Sequence, residues 1–318
     1  MKPALSPNFP FYSLNAYLNA QYGERVQKIT LDAGLTCPNR DGRVGRGGCI
    51  YCNDKGSGTG ASARGQSLTG QLAEGIDRVG KRYQARKFIA YFQSFSNTYA
   101  SLEELRRLYE EAMAHPQVVG LSIGTRPDCL SSEIINLLSS FCRTHFIWLE
   151  LGLQSSHDRT LQLLNRGHDA ACFVEAVNST SEKGLHVLAH VILGLPQESK
   201  ADILATAKFL GTLPIHGVKI HLLYVIKNTP LANLYTSGHY TPLSQEEYIN
   251  LVVDFIELLP PHMVIHRLTG DPHPDELVTP KWCLDKTAVL SQIKETFFRR
   301  QTYQGRLWHH NYDSNATS

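Results

Sequence analysis

The stretch KITLDAGLTCPNRDGRVGRGGCIYC, residues 28–52, joins a β-rich run to a glycine-rich loop carrying three of the chain's seven cysteines. Lys28 to Ala33 reads as a strand, and Cys37, Cys49 and Cys52 follow at C-x11-C-x2-C spacing. The intervening glycines leave the loop free to wrap a metal centre. No fourth ligand is near: the next cysteine is Cys129 and the next histidine His115. A structural zinc site closes with four protein ligands, whereas three thiolates on an iron-sulfur cubane leave one iron open to an outside ligand. A zinc knuckle completed by a distant residue and a set of ordinary buried cysteines are the competing readings.

Outward from this loop, β-rich runs alternate with helical patterns every 30 to 40 residues or so, the rhythm of βα units on a parallel sheet. The predicted strands are Lys28 to Ala33, Phe88 to Gln93, Val118 to Gly124, Phe146 to Leu151, His186 to Leu193 and Val218 to Val225. Helices are expected near 67–83, 101–114, 131–142, 170–183 and 199–210. In the second, Ser101 and Glu104 have capping-box spacing, and Leu102, Leu105, Leu108, Tyr109 and Ala112 recur with helical period. Gly184 stands where a left-handed helix end is usual. Residues 27–260 are read as the core, 1–26 as an N-terminal extension and 261–318 as a C-terminal one.

With 318 residues, 42% of them apolar, the chain has ample material for a buried core. The odd cysteine count argues against a disulfide framework and for reduced thiols or metal ligands. No apolar run approaches the roughly 20 residues of a membrane span, and Pro3, Pro7 and Pro10 interrupt any signal-peptide core. A cytoplasmic protein without a membrane partner is expected. The net charge of +2 neither demands nor excludes a nucleic-acid partner.

The chain as a whole resembles the YhcC-like group of radical S-adenosylmethionine (SAM) proteins, related to the Elp3 and oxygen-independent coproporphyrinogen oxidase branches. The resemblance rests on the quoted loop, on AYFQSFSNTYA, GLSIGTRPDCL, WLELGLQSSHDRTLQLLNRGHD, AHVILGLPQES and GVKIHLLYVIKNT, and on the late PKWC. It implies an α/β fold, a partial (β/α)6 TIM-type barrel with its site at the C-terminal strand ends. It also implies a [4Fe-4S] cluster on Cys37, Cys49 and Cys52, with SAM chelating the free iron. Tyr51 fits the aromatic that usually precedes the last cysteine. By the same likeness Gln154 is expected at the SAM ribose and Arg166 at its carboxylate, as a forked donor.

His190 stands where the coproporphyrinogen oxidase branch has a ribose-binding aspartate and is a cofactor-binding candidate, with a satisfied strand histidine as the equal alternative; the backbone of Ile192 to Leu195 is expected against the adenine. The usual Gly-Gly-Glu stretch that holds the SAM amine is replaced by residues 93–98, so Gln93 and Asn97 are the candidates there. An electron donor such as flavodoxin or ferredoxin is implied as a partner. The Elp3 likeness points to RNA, tRNA first, as substrate, although the chain leaves no room for the acetyltransferase domain of that branch.

On the substrate side, Asp128 and Cys129 close a Thr-Arg-Pro-Asp-Cys run at the third strand's end and are catalytic candidates. Asp128 as a cap of the next helix is the plainer alternative, and Cys129 as an ordinary buried thiol is another. Lys219 and His221 alternate on the sixth strand, so both are expected to face the barrel interior. The basic-aromatic run from Phe297 to His310 has the composition of a nucleic-acid surface, but reads better as a helix end packed on the core. A non-catalytic iron-sulfur or zinc protein in electron transfer or scaffolding is the competing functional class, and an RNA-binding module with a vestigial cluster is a third.

Overall fold

The computed structural model describes residues 5–309 except 57 and 59. Nine strands and ten α-helices are described, beginning with α1 (Leu14–Tyr22) and β1 (Val26–Leu31). Repeating βα units follow: α2 (Leu68–Tyr83), β2 (Lys87–Phe92), α3 (Leu102–Met113), β3 (Val118–Thr125), α4 (Ser132–Phe141) and β4 (Phe146–Gln154). After them come α5 (Asp158–Leu163), α6 (Ala170–Ser181), β5 (His186–Leu193), α7 (Lys200–Leu210) and β6 (Gly217–Leu222). The remainder is β7 (Val225–Ile226), α8 (Pro230–Thr236), α9 (Gln245–Glu257), β8 (Val264–Arg267), β9 (Leu277–Thr279) and α10 (Lys286–Arg299).

Seven strands form one parallel sheet in the order β1-β2-β3-β4-β5-β6-β8, and β7 and β9 form a separate antiparallel pair. This curled half-barrel is the expected partial TIM-type barrel, with one strand more than the six predicted. The seventh, β8, falls in the segment read as a C-terminal extension, yet pairs with β6. Its four residues, two apolar followed by two polar, lack the alternation that betrays a strand.

Alternation along each strand sorts the side chains. Outward go Leu31, Phe88, Phe92, Leu121, Ile123, Leu149, Leu151, Val187, Val191, Val218 and Ile220, all buried with helix residues such as Leu72, Leu105, Tyr109, Phe173 and Val252. Each such side chain contributes about 1.5–3 kcal/mol of burial. Ser101 caps α3 as expected, accepting the Glu104 N–H at 3.3 Å. The reciprocal half of the box is replaced: the Glu104 carboxylate takes Arg107 at 2.8 Å, a stronger partner than a backbone amide. Gly184 adopts φ +73° and donates its N–H to Ser181 O, just past α6.

Inward, the floor of the barrel is apolar. Trp148, Leu188 and Val264 meet Tyr12, Leu14 and Tyr17, while Ile89 meets Leu18 and Val26. The N-terminal segment thus plugs the N-terminal strand ends, so the interior opens only toward the C-terminal ends. The C-terminal run is structural. Phe297 is fully buried, Arg300 pairs with Asp254 at 2.6 Å, and the Gln304 amide donates to Pro260 O and Met263 O; His310 lies outside the described residues. Among the described residues no helix is long and apolar enough to cross a membrane.

Candidate active site

The cysteine loop is held by buried amides rather than by regular structure. Asn39 is fully buried and its Nδ2 donates to Asn165 O. Asn165, at φ +55°, returns its Nδ2 to Gly48 O at 2.8 Å. Backbone bonds Ile50 N to Leu164 O and Leu231 N to Ile50 O pin the loop to α5 and α8. Gly45 has to be bare, because a Cβ there would lie 2.2 Å from Asn39 Oδ1.

This bracing brings Cys37, Cys49 and Cys52 to one cavity of about 650 Å³ at the C-terminal strand ends. The Cys49 thiol is held well below its ordinary range, first by a hydrogen bond from Cys52 and then, against the cost of burial, by Arg166 and Arg126. Arg166 Nη1 lies 3.3 Å from Cys49 Sγ, and its Nη2 donates to Gly152 O at 2.7 Å. A Cβ on Gly152 would stand 2.7 Å from the Gln154 amide and 3.0 Å from Arg166, so a glycine is needed for this approach. Gln154 itself sits at φ +76°, where the β4–β5 register shifts. Left-handed backbone at a non-glycine residue costs of order 1–3 kcal/mol and is concentrated at functional sites.

Of the other candidates, Gln93, His190, Lys219 and His221 line this cavity, whereas Asn97, Asp128 and Cys129 do not. Asn97 is fully buried, and both its N–H and its Nδ2 donate to Gly124 O, tying its loop to β3. Asp128 forms a two-pronged pair with Arg126 at 2.7 and 2.8 Å; α4 is capped instead by Ser131. Cys129 is buried beside Asp128, its thiol pushed up to about 12 by burial and then by that carboxylate, so it is protonated, and it is not among the cavity-lining residues. The Gly194-Leu195-Pro196 turn borders a different cavity of about 510 Å³ outside the barrel, and Gly194 O already accepts the Tyr240 hydroxyl. Only Ile192 of that stretch reaches the main cavity.

Beneath the thiols lies a group that motif reading missed. Glu150, a lone acid in the apolar run of β4, is buried with its Oε1 on Lys28 and Ser122 and its Oε2 on His190 at 2.6 Å and Lys219 at 2.8 Å. Burial alone would raise its carboxyl, but Lys219, Lys28 and His190 hold it well below the usual range. Burial and then the Lys219 charge lower His190 to about 4, leaving it neutral. Its Nε2 is therefore engaged with Glu150 rather than offered to a ribose. Lys219 also donates to the Tyr91 hydroxyl at 2.8 Å, and burial lowers it to about 7 despite Glu150. In 15N-lysine spectra Lys219 is expected to lose its proton near pH 7, some three units before an ordinary lysine. Titration in the range of an ordinary lysine would show that water reaches it freely.

Residues 40–210 match the radical SAM superfamily, and residues 215–299 match the radical SAM C-terminal domain. The chain belongs to the radical SAM superfamily. This radical SAM protein is 41% identical to YtqA of Bacillus subtilis over 94% of its length and 92% of the relative's. It is 36% identical to YhcC of Escherichia coli over 87% and 88%. A tRNA uridine(34) acetyltransferase of Dehalococcoides mccartyi is 33% identical over 54% of this chain and 37% of its own. Among solved structures, the archaeal Elp3 of Methanocaldococcus infernus superposes with a TM-score of 0.64 at 20% identity, over 86% of this chain and 64% of that one.

The residues present suit the cofactors such proteins use. Three thiols lining one cavity form a soft donor set. Arg126 Nη1 and Arg166 Nε are buried N–H groups without a partner. Such orphans cost about 1–3 kcal/mol each until a ligand satisfies them.

Proposed function

We propose that this chain is a radical SAM enzyme that holds a [4Fe-4S] cluster on Cys37, Cys49 and Cys52 and binds SAM between the cysteine loop and the ends of β4 and β5. The observation carrying this reading is that the three thiols, Gln154 and Arg166 all line a single cavity of about 650 Å³. When bound, the cluster and SAM supply a 5'-deoxyadenosyl radical by one-electron cleavage of the sulfonium.

The chain's own groups do the positioning. Arg166 is fixed at Gly152 O and beside Cys49, and the buried N–H groups of Arg166 and Arg126 are donors for the SAM carboxylate. The Gln154 amide, aimed by its left-handed backbone, serves the ribose hydroxyls, and Gln93 the ammonium group. The apolar floor under the Glu150 cluster keeps bulk water from entering from below. A flavodoxin- or ferredoxin-type donor supplies the electron.

For the substrate, similarity to the tRNA uridine(34) acetyltransferase favours RNA, tRNA first. Anaerobically loaded protein is expected to bind SAM, and Arg166→Gln to weaken that binding roughly tenfold or more with its iron retained. Equilibrium dialysis with radiolabelled SAM measures this; unchanged affinity would remove Arg166 from the site. Bulk tRNA added to reduced enzyme should raise 5'-deoxyadenosine release, and no rise would count against an RNA substrate. Loaded, reducible protein that does not bind SAM at all would be an electron carrier or scaffold.

A further inference from the structure

We propose that the inner half of the cavity is an anion subsite, in which Arg267 and Lys219 receive a carboxylate or phosphate group carried by the substrate. The proposal rests on reading this cavity as the catalytic chamber, and goes beyond it in naming the chemistry the substrate brings.

The charges lining the cavity carry the argument. Arg40 is paired with Asp54 at 3.1 Å, Lys55 with Glu276, Arg126 with Asp128, and Arg166 faces the Cys49 sulfur. Lys219 shares Glu150 with Lys28, His190 and Ser122, a set that occupies both carboxylate oxygens. Asp271 also lines the cavity and is paired with Lys286 at 3.4 Å. Arg267 differs from all of these: it lines the cavity, and its guanidinium makes no hydrogen bond or ion pair to any described residue. A guanidinium carries five N–H donors and always its charge, so a half-buried one without an acceptor is a site in wait of an anion.

Strand geometry puts this cation beside a second. Arg267 is the register partner of Lys219 across β6 and β8, at a bulge where Ile265 pairs with Val218 and His266 is the extra residue. Bulges of this kind re-aim side chains near active sites. Lys219 and His221 both feel the Arg267 charge. Beside Lys28 and Lys219, which share the one carboxylate of Glu150, Arg267 adds a charge with no carboxylate of its own, while His190 and His221 are neutral. An incoming carboxylate or phosphate balances this excess and takes the guanidinium fork in two-pronged fashion.

The test uses cluster-loaded protein with SAM present, titrated separately with acetate and inorganic phosphate against chloride at constant ionic strength, following the thermal unfolding midpoint. One of the two anions is expected to raise the midpoint saturably; acetate would identify a carboxylate subsite and phosphate a phosphate-ester subsite. Arg267→Gln should weaken that response roughly tenfold, Arg267→Lys should fall between, and the surface variant Lys81→Gln should match wild type, with SAM affinity equal in all four proteins. No saturable response to either anion, or one that Arg267→Gln leaves intact, would overturn the subsite. Loss of SAM binding in Arg267→Gln would overturn it too, by assigning Arg267 to the cofactor. Should Arg267→Gln not unfold cooperatively, Arg267→Lys decides: a weakened response supports the fork and an unchanged one overturns it. Anion binding that persists in protein unable to bind SAM would leave the subsite standing and remove the function in which it was read.

Discussion

Cys49→Ala is expected to lose the cluster: reconstituted wild type should carry about four irons per chain, and the variant close to none. Cys49 is the most embedded of the three thiols, hydrogen-bonded by Cys52, faced by Arg166 at 3.3 Å and held toward thiolate. Without it Cys37 and Cys52 are left as a two-thiolate set, too few to hold a cubane. SAM-dependent 5'-deoxyadenosine should fall by orders of magnitude with the iron. Cys129→Ala should keep its iron, because that thiol is protonated and lies off the cavity. Iron and acid-labile sulfide analysis with the absorbance near 400 nm, a typical cluster band, compares the three proteins. Full iron in Cys49→Ala would dismiss the ligand assignment.

Glu150→Gln is expected to cost about 3–5 kcal/mol of stability, the range for removing one partner of a buried ion pair. Two lysines, the half-buried Lys28 and the buried Lys219, depend on this one carboxylate, and the apolar layer of Trp148, Leu188 and Val264 lies below. The pH dependence follows from Lys219, which burial lowers to about 7 and Glu150 partly restores. Removing the carboxylate drives the folded-state value lower still, so between that value and about 7 wild type holds a proton in the folded state that the variant does not. The deficit therefore shrinks as pH rises through that window. Urea unfolding at pH 5.5 and pH 8 measures both effects. A loss below about 1 kcal/mol, or one that grows with pH, would mean that water relieves these charges.

The features legible in the sequence were those with a short-range signature. The βα rhythm showed because outward strand residues such as Phe88, Leu121 and Val187 form near-continuous apolar runs between capped helices. The three cysteines were legible from spacing, and Lys219 and His221 from a period of two. Direction at a strand end was not. Asn97 and Asp128 sit where chemistry was expected, yet one ties a loop to β3 and the other holds Arg126. Arg267 lay hidden in a four-residue strand that joins the sheet only through tertiary pairing with β6. Glu150 was visible as a lone acid among Trp148, Leu149, Leu151 and Leu153, a signal that marks a buried charge with partners, but its partners come from four other strands.

The claim on which the rest depends is that this chain cleaves SAM reductively. The direct measurement is 5'-deoxyadenosine released by anaerobically reconstituted wild-type protein under dithionite, with unreduced protein and Cys49→Ala as references. The account predicts product that requires reductant, SAM and all three thiols together. A fully assembled, reducible cluster with no product above the Cys49→Ala background would contradict it.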